Sequence, residues 1–426
     1  MGNELNEPIL ENKSFDFENK FLRFGVSSIQ GWKSKMEDYN FYSTDIFPNS
    51  DRKFDILGIF DGHGGPEIAK YISTHFFDHL YSKSSFKEGK YIESLKQTFI
   101  DIDNSLNTEE VKKEIIKISE EFKLNNEEEI LEINKTCGEG EALSEKEIDQ
   151  IKCLKDLLNP KNLLEYNISY FSGCSGIVIL ITNDKIYVAN AGNCRCIPID
   201  ENWEVIKEKV NKSHLINDDT EKVRIDNSSS FKEKKLYPEF IHTTRGFGDF
   251  EYKENKWLKP EDQAISPEPE VIEIKYDECK YLIIGSHGLF DDNNDMKLFE
   301  KSNQDITDYF MEQIKNNKNK KISKIIEEYF DMIIPKEKKD DNQSYMDNMT
   351  CFVIQLFERP KIIEKEEDKK EESDESEKME KFKKKESSSG SMKNLFSFFT
   401  KANRNESGEK KLENSASFSN LFKKIK

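Results

Sequence analysis

Three short acidic segments carry the residue types that bind hard cations and move protons. Asp61-Gly62-His63-Gly64-Gly65 sets a carboxylate and an imidazole two positions apart among glycines. Met36-Glu37-Asp38 precedes it, and Asp347-Asn348 lies far downstream. Carboxylates and backbone carbonyls are the oxygen ligands that hard divalent cations prefer. An imidazole beside them can hold or release a proton near neutral pH. Glycine lets the backbone approach a ligand closely. One such segment alone is weak, because an Asp-Gly pair usually marks a turn.

The elements around these segments make the grouping more telling. FDILGIFD (Phe54–Asp61) is an apolar run of strand length, and Gly64-Gly65-Pro66 then opens EIAKYISTHFFDHLYS. There Ile68, Ala69, Ile72, Phe76 and Leu80 follow a helical period, and Pro66 suits the first turn. FLRFGVSSI (Phe21–Ile29) reads as a strand ahead of Glu37, and TCFVIQLF (Thr350–Phe357) as a strand after Asp347. Strand ends fix the direction of the side chains they carry. Further strands are expected at Gly176–Thr182, Lys185–Gly192, Cys194–Ile199, Val271–Tyr276 and Tyr281–Ser286, with a hairpin turn at Asn183-Asp184. Helices are expected at Tyr91–Leu106, Ile306–Ile314 and Ile322–Met332.

Composition sets the outer limits. The 426 residues are 35% hydrophobic and 35% charged, with a net charge of −18. That is more charge and less apolar content than an ordinary globular domain carries, so part of the chain is expected not to fold. The acidity argues against a nucleic-acid binder, which neutralises phosphates with Lys and Arg. Seven cysteines and no apolar leader at MGNELNEP point to reduced thiols in the cytosol or nucleus. Residues 108–165, with 16 acidic and 9 basic side chains, read as a charged helical insertion. Residues 359–426 read as a disordered charged tail, and residues 1–19 as an N-terminal arm, leaving 20–358 as one domain.

In order along the chain, SSIQGWKSKMEDYN, FDGHGGPEIAKY, SGCSGIVIL, VANAGNCR, TRGFGDFEYK, ISPEPEV, GSHGLFDD and DNMTCFVI together resemble the metal-dependent type 2C serine/threonine protein phosphatases. The resemblance covers roughly residues 20–107 and 168–357. It implies an α+β fold, a four-layer α/β/β/α sandwich of two antiparallel sheets flanked by helices. It also implies hydrolysis of phosphoserine and phosphothreonine in proteins by a metal-activated water, using two Mg2+ or Mn2+ ions. By the same resemblance Glu37, Asp61, the Gly62 carbonyl, His287, Asp291 and Asp347 stand at metal positions. His63 stands where the general acid does, and Lys33 and Arg245 stand at phosphate-binding positions. Phosphoprotein substrates and a monomer are expected.

Three positions depart from that pattern. Lys33 replaces an arginine, giving a point charge in place of a planar two-pronged donor. His287 replaces a ligating Asp. An imidazole can serve Mn, Fe or Zn but suits Mg poorly. Asn193 replaces an Asp that serves a weaker third metal. Four carboxylates, Glu37, Asp61, Asp291 and Asp347, remain. Two readings stay open on this basis: an impaired or Mn-shifted enzyme, and a pseudophosphatase that binds partners.

The remaining signals are slighter. His75 and His79 stand four apart on a helix with no third ligand nearby, and read as a solvated face. Cys194 and Cys196 alternate on a strand and read as packing. Gly2, in Met-Gly-Asn-Glu-Leu-Asn, is a lipidation candidate although Asn6 stands where Ser or Thr is usual. The last 40 residues interleave lysines with Phe396, Phe398, Phe399, Phe418 and Phe422. Lipid and basic tail together would add a membrane surface to a cytoplasmic or nuclear location, since a single myristoyl chain binds only marginally. Liposome co-sedimentation is expected to weaken when residues 387–426 are removed.

Overall fold

The computed structural model describes residues 4–46, 53–136, 167–216, 218–228, 243–290, 296–337 and 347–359. Two antiparallel sheets hold the fold. The first runs in the order β1-β2-β11-β10-β7, and the second in the order β3-β4-β5-β6-β9, with a short β8 paired to β5. The strands are β1 (Glu4–Glu18), β2 (Leu22–Lys33), β3 (Tyr39–Ile46), β4 (Phe54–His63), β5 (Gly173–Ile181), β6 (Lys185–Ala191), β7 (Arg195–Ile199), β8 (Phe247–Gly248), β9 (Glu270–Lys275), β10 (Tyr281–Gly285) and β11 (Met349–Leu356). The helices that matter below are α1 (Glu67–Ser82), α2 (Tyr91–Ser105), α3 (Glu109–Thr136), α4 (Asp219–Asn227), α5 (Met296–Asn316) and α6 (Ile322–Ile333).

Side-chain alternation explains the stacking. On β4, Leu57 and Ile59 share a core with Ile177, Ile179 and Ile181 of β5 and with Phe24, Leu282, Ile284, Phe352 and Ile354 of the other sheet. Ile56 and Phe60 point the opposite way and pack under α1 and α2 with Ile72, Phe76, Leu95 and Phe99. The far face of the first sheet, with Trp32, Ile197, Ile283 and Val353, is covered by Phe310, Ile325, Ile326 and Phe330 of α5 and α6. Central strands thus bury both faces, and they read as largely apolar runs because a strand with no wet side needs no polar alternation. This is the α+β, four-layer sandwich expected from the sequence.

Glu4–Glu18, taken from the sequence as part of an arm, is an edge strand. It pairs with β2 from Glu4↔Lys33 to Glu18↔Arg23, with register shifts near Ile9. Phe17 stacks on Phe24 and Phe15 on Tyr42, while Phe15 lies tilted against Phe24. These sparse apolar positions only find partners once β2 and β3 are folded, so local pattern could not announce them. The acidic region after residue 108 begins as α3, where Val111, Ile115 and Ile118 join the core beneath α1. Its remainder (137–166) and the tail (360–426) lie outside the described residues. No helix among the described residues is long and apolar enough to cross a membrane.

Five described cysteines, Cys174, Cys194, Cys196, Cys279 and Cys351, are buried free thiols. Cys194 and Cys196 lie in the inter-sheet core. Burial pushes both thiols well above their ordinary range, so they are poor nucleophiles. His75, on α1, is 2.8 Å from Glu114 of α3 and lies against Tyr71.

Candidate active site

The antiparallel register delivers the acidic segments to one edge of the sandwich. β2 ends at Lys33, β4 at His63 and β10 at Gly285, and Asp347-Asn348 immediately precede β11. Because Met349 pairs with Ile29 and Cys351 with Gly285, Asp347 and the loop after β10 meet beside the end of β2. Asn348 ties the loop together: its Oδ1 accepts the Glu37 backbone N–H at 2.9 Å, and its Nδ2 donates to the Gln30 carbonyl at 2.8 Å. Gly62 is pressed against this loop, since a β-carbon there would stand 2.5 Å from the Glu37 carbonyl oxygen.

The electrostatics of this edge are those of crowded acids. Asp61 accepts the His287 backbone N–H at 2.8 Å. Burial first, and the Asp347 charge second, still push its carboxyl up to about 7. Burial likewise raises Glu37, although the Gly65 N–H works the other way. Asp38 is 5% exposed, and burial together with the Asp61 charge pushes it well above the usual carboxylate range. Ser286 Oγ donates to Asp38 Oδ2 at 2.7 Å, while Asp38 Oδ1 is buried with no hydrogen-bond partner. Lys33 lies at the same edge, its Nζ 3.2 Å from Asp347 Oδ1.

Such a set fits a hard cation. Its donors are oxygens, its charges repel one another, and one buried carboxylate oxygen is left without a donor, which normally costs free energy. No three His, Cys, Asp or Glu side chains among the described residues already close on a common point.

Residue by residue, the structure brings together Glu37, Asp61, Gly62, His63, Asp347 and Lys33. His287 reaches the group through its backbone N–H, and its ring is on the exposed side. Asp291 lies outside the described residues, as does Gly2. Asn193 is turned inward, with its Oδ1 accepting the Ser175 hydroxyl at 2.9 Å and the residue only 7% exposed.

Arg245 is held in a second cluster. Its Nε and Nη2 donate to Glu221 Oε1 at 3.0 and 2.6 Å, and its Nη1 to the Glu268 carbonyl at 3.0 Å. Glu221, on α4, also accepts from Arg224 Nη2 at 2.5 Å and from the Thr244 hydroxyl at 2.7 Å. Burial opposes ionisation of Glu221, but the Arg245 hydrogen bonds and charge overcome it and hold the carboxyl down at about 2, against an ordinary 4.5. A carboxyl lowered in the fold stabilises above its unfolded pKa and loses that contribution as pH falls through its folded value. Acid unfolding is therefore expected to remove about 3 kcal/mol between pH 5 and 2 through this residue. Urea titrations across that range should show a flatter decline for Glu221→Gln.

Two functional residues escaped the sequence reading. Asp38 was visible beside Glu37, but only its burial against Asp61 and Ser286 marks it out. Asp249, inside TRGFGDFEYK, places both carboxylate oxygens within 2.8–2.9 Å of His63 Nε2. Burial disfavours charge on that imidazole, yet Asp249 raises it to about 9. Nothing in the local sequence couples positions 186 residues apart.

Comparison with known proteins bears on the family and the fold. A family profile described as Protein phosphatase 2C matches residues 22–120 and 117–341. The chain is 29% identical over 370 residues to a probable protein phosphatase 2C 21 of Arabidopsis thaliana, covering 86% of this chain and 95% of that one. It is 28% identical over 304 residues to a probable protein phosphatase 2C 2 of Paramecium tetraurelia, covering 71% and 84%. Among solved structures, a phosphatase from a pathogenic strain of Toxoplasma gondii shares the fold at TM-score 0.51 and 15% identity, over 82% of this chain and 98% of that one.

Proposed function

We propose that this chain, which belongs to the protein phosphatase 2C family of hydrolases, cleaves phosphoserine and phosphothreonine esters in proteins with the help of Mg2+ or Mn2+. The observation that carries this reading is the acidic edge, where Asp61 is raised to about 7 by burial and by Asp347 and Asp38 keeps an orphaned oxygen. Glu37, Asp61, Asp347 and the Gly62 carbonyl would hold the cations. When bound, these would acidify a water and neutralise phosphoryl oxygens.

The chain's own groups divide the remaining work. Lys33, adjacent to Asp347, offers a cation to a phosphoryl oxygen without the two-pronged grip of an arginine. Asn348 and the His287 N–H hold Glu37 and Asp61 in place. In the reaction a water oxygen bonds to phosphorus while the bond from phosphorus to the Ser or Thr oxygen breaks. The departing alkoxide takes up a proton, and His63 is the group placed to give it.

The inward turn of Asn193 onto Ser175 and the imidazole at 287 favour a second reading, in which the fold binds partners without turnover. Phosphate release from a phosphothreonine peptide, titrated with Mg2+ and with Mn2+, separates the two. Turnover in the wild type is expected, with a preference for Mn2+. His287→Asp returns one carboxylate and is expected to lower the half-activating Mg2+ concentration about tenfold, or about 1.4 kcal/mol. A wild type inert with both ions, and still inert as His287→Asp, would leave only the binding module.

A further inference from the structure

His63 is not held by its own strand alone. Gly173 of β5 pairs with His63 on one side and with Gly248 on the other, so the backbone after Gly248 is delivered beside the imidazole. Asp249 then takes φ 52°, the left-handed region, which Asp tolerates better than most residues but at a cost. This turn aims its carboxylate at His63, with Nε2 2.9 Å from Oδ1 and 2.8 Å from Oδ2. Gly173 must lack a side chain for this, because a β-carbon there would stand 2.3 Å from Asp249 Oδ2.

The backbone closes a ring around the pair. The Asp249 N–H donates to the Ser172 carbonyl at 3.0 Å, and the Ser172 hydroxyl donates to the Gly64 carbonyl at 2.7 Å. Gly64 follows His63 directly. Behind this ring stands an ion pair that the chemistry itself does not require. Asp103 of α2 accepts Lys253 Nζ at 2.9 Å on both oxygens and the Gly248 N–H at 2.8 Å. Lys253 also donates to the Gly246 carbonyl at 3.0 Å. Their side chains are 1% and 3% exposed. The pair therefore pins both glycines that flank Phe247, the residues leading into Asp249.

We propose that Asp249 is a positioning residue for His63, itself held by the Asp103–Lys253 pair. A carboxylate can only accept, so Asp249 takes the Nε2–H and fixes the ring; the proton on Nδ1 is the one passed to the departing alkoxide, which leaves the ring in its Nε2–H form. The second half of this inference rests on the phosphatase reading above. The first half, that Asp249 fixes the ring, stands on geometry alone.

The test uses the full chain with Mn2+ and two substrates. A phosphothreonine peptide releases an alkoxide that needs a proton, whereas p-nitrophenyl phosphate releases a phenolate stable without one. Asp249→Gly removes the carboxylate while keeping a residue at ease at φ 52°. It is expected to lower kcat on the peptide by about tenfold to a hundredfold, within the range of a general acid's contribution. Turnover of p-nitrophenyl phosphate should stay within about threefold, with Asp249→Asn intermediate on the peptide. Equal falls on both substrates would overturn the proposal. Nitrogen NMR of the histidine ring adds a readout independent of turnover. An Nε2 proton held in a hydrogen bond in the wild type, and released from it in Asp249→Gly, supports the proposal, and identical ring signals in both proteins overturn it. If the wild type turns over neither substrate, the phosphatase reading falls and the ring signals alone decide the role of Asp249.

Discussion

Asp61→Asn is expected to reduce phosphate release about a thousandfold and, in the presence of chelator, to raise the melting temperature. The first effect follows from removing the central carboxylate of the acidic edge, at the upper end of what one electrostatic group typically contributes. The second follows from the cluster's own repulsion. Burial and then the Asp347 charge lift Asp61 from an ordinary 3.8 to about 7, against the pull of the His287 N–H, His63 and Lys33. A carboxyl raised in the fold binds a proton that the unfolded chain has already released. Stability therefore falls as pH rises from about 4 to about 7. Asparagine abolishes this loss and can still accept the His287 N–H. The gain in melting temperature should be small at pH 5 and larger at pH 8. A variant that melts lower than wild type at both pH values would contradict a strained, cation-seeking cluster. The same trade, function bought with local instability, recurs wherever like charges are gathered for binding.

The largest effect on folding is expected at the opposite end of the sandwich. Arg359 closes the described chain after β11, and its Nη2 pairs with Asp55 at the start of β4, their side chains 1% and 2% exposed. Its Nη1 donates to the Thr182 carbonyl at 3.2 Å, and the guanidinium lies over the rings of Phe21 and Tyr276 at 5.3 and 5.1 Å. Tyr276 in turn donates to the carbonyls of Phe21 and Phe357. One arginine thus ties the end of the first sheet to the second. Arg359→Ala strands a buried carboxylate and is expected to cost about 3–5 kcal/mol, a drop on the order of 10 °C in melting temperature. Replacing both partners with apolar residues, as in Asp55→Leu with Arg359→Met, should recover most of it, because no unpaired charge remains. Chemical denaturation of the single and double variants measures this. A single variant within 1 kcal/mol of wild type would show that the pair behaves like a surface contact.

Much of the architecture was legible because both faces of the central strands are buried. Phe54–Asp61, Gly176–Thr182 and Tyr281–Ser286 are largely apolar runs, and the structure places β4, β5 and β10 there within three residues at either end. The period of Ile68, Ile72, Phe76 and Leu80 likewise marked α1. β1 was not legible, since its apolar residues are few and gain partners only once distant segments such as β2 and β3 fold against them.

For the site, residue types and order determined the acidic segments, the family they resemble and the departures at Lys33, Asn193 and His287. A carboxylate's capacity to bind a cation is a property of the residue itself, so sequence can announce it. What the tertiary structure decided is which charges face each other. It set Asp347 against Asp61 and Lys33, turned Asn193 onto Ser175, held Arg245 on Glu221, and brought Asp249 to His63. Those pairings depend on strand register and on the exclusion of water. Both arise only when segments far apart in sequence pack together, and both set the strength of every charge interaction they contain.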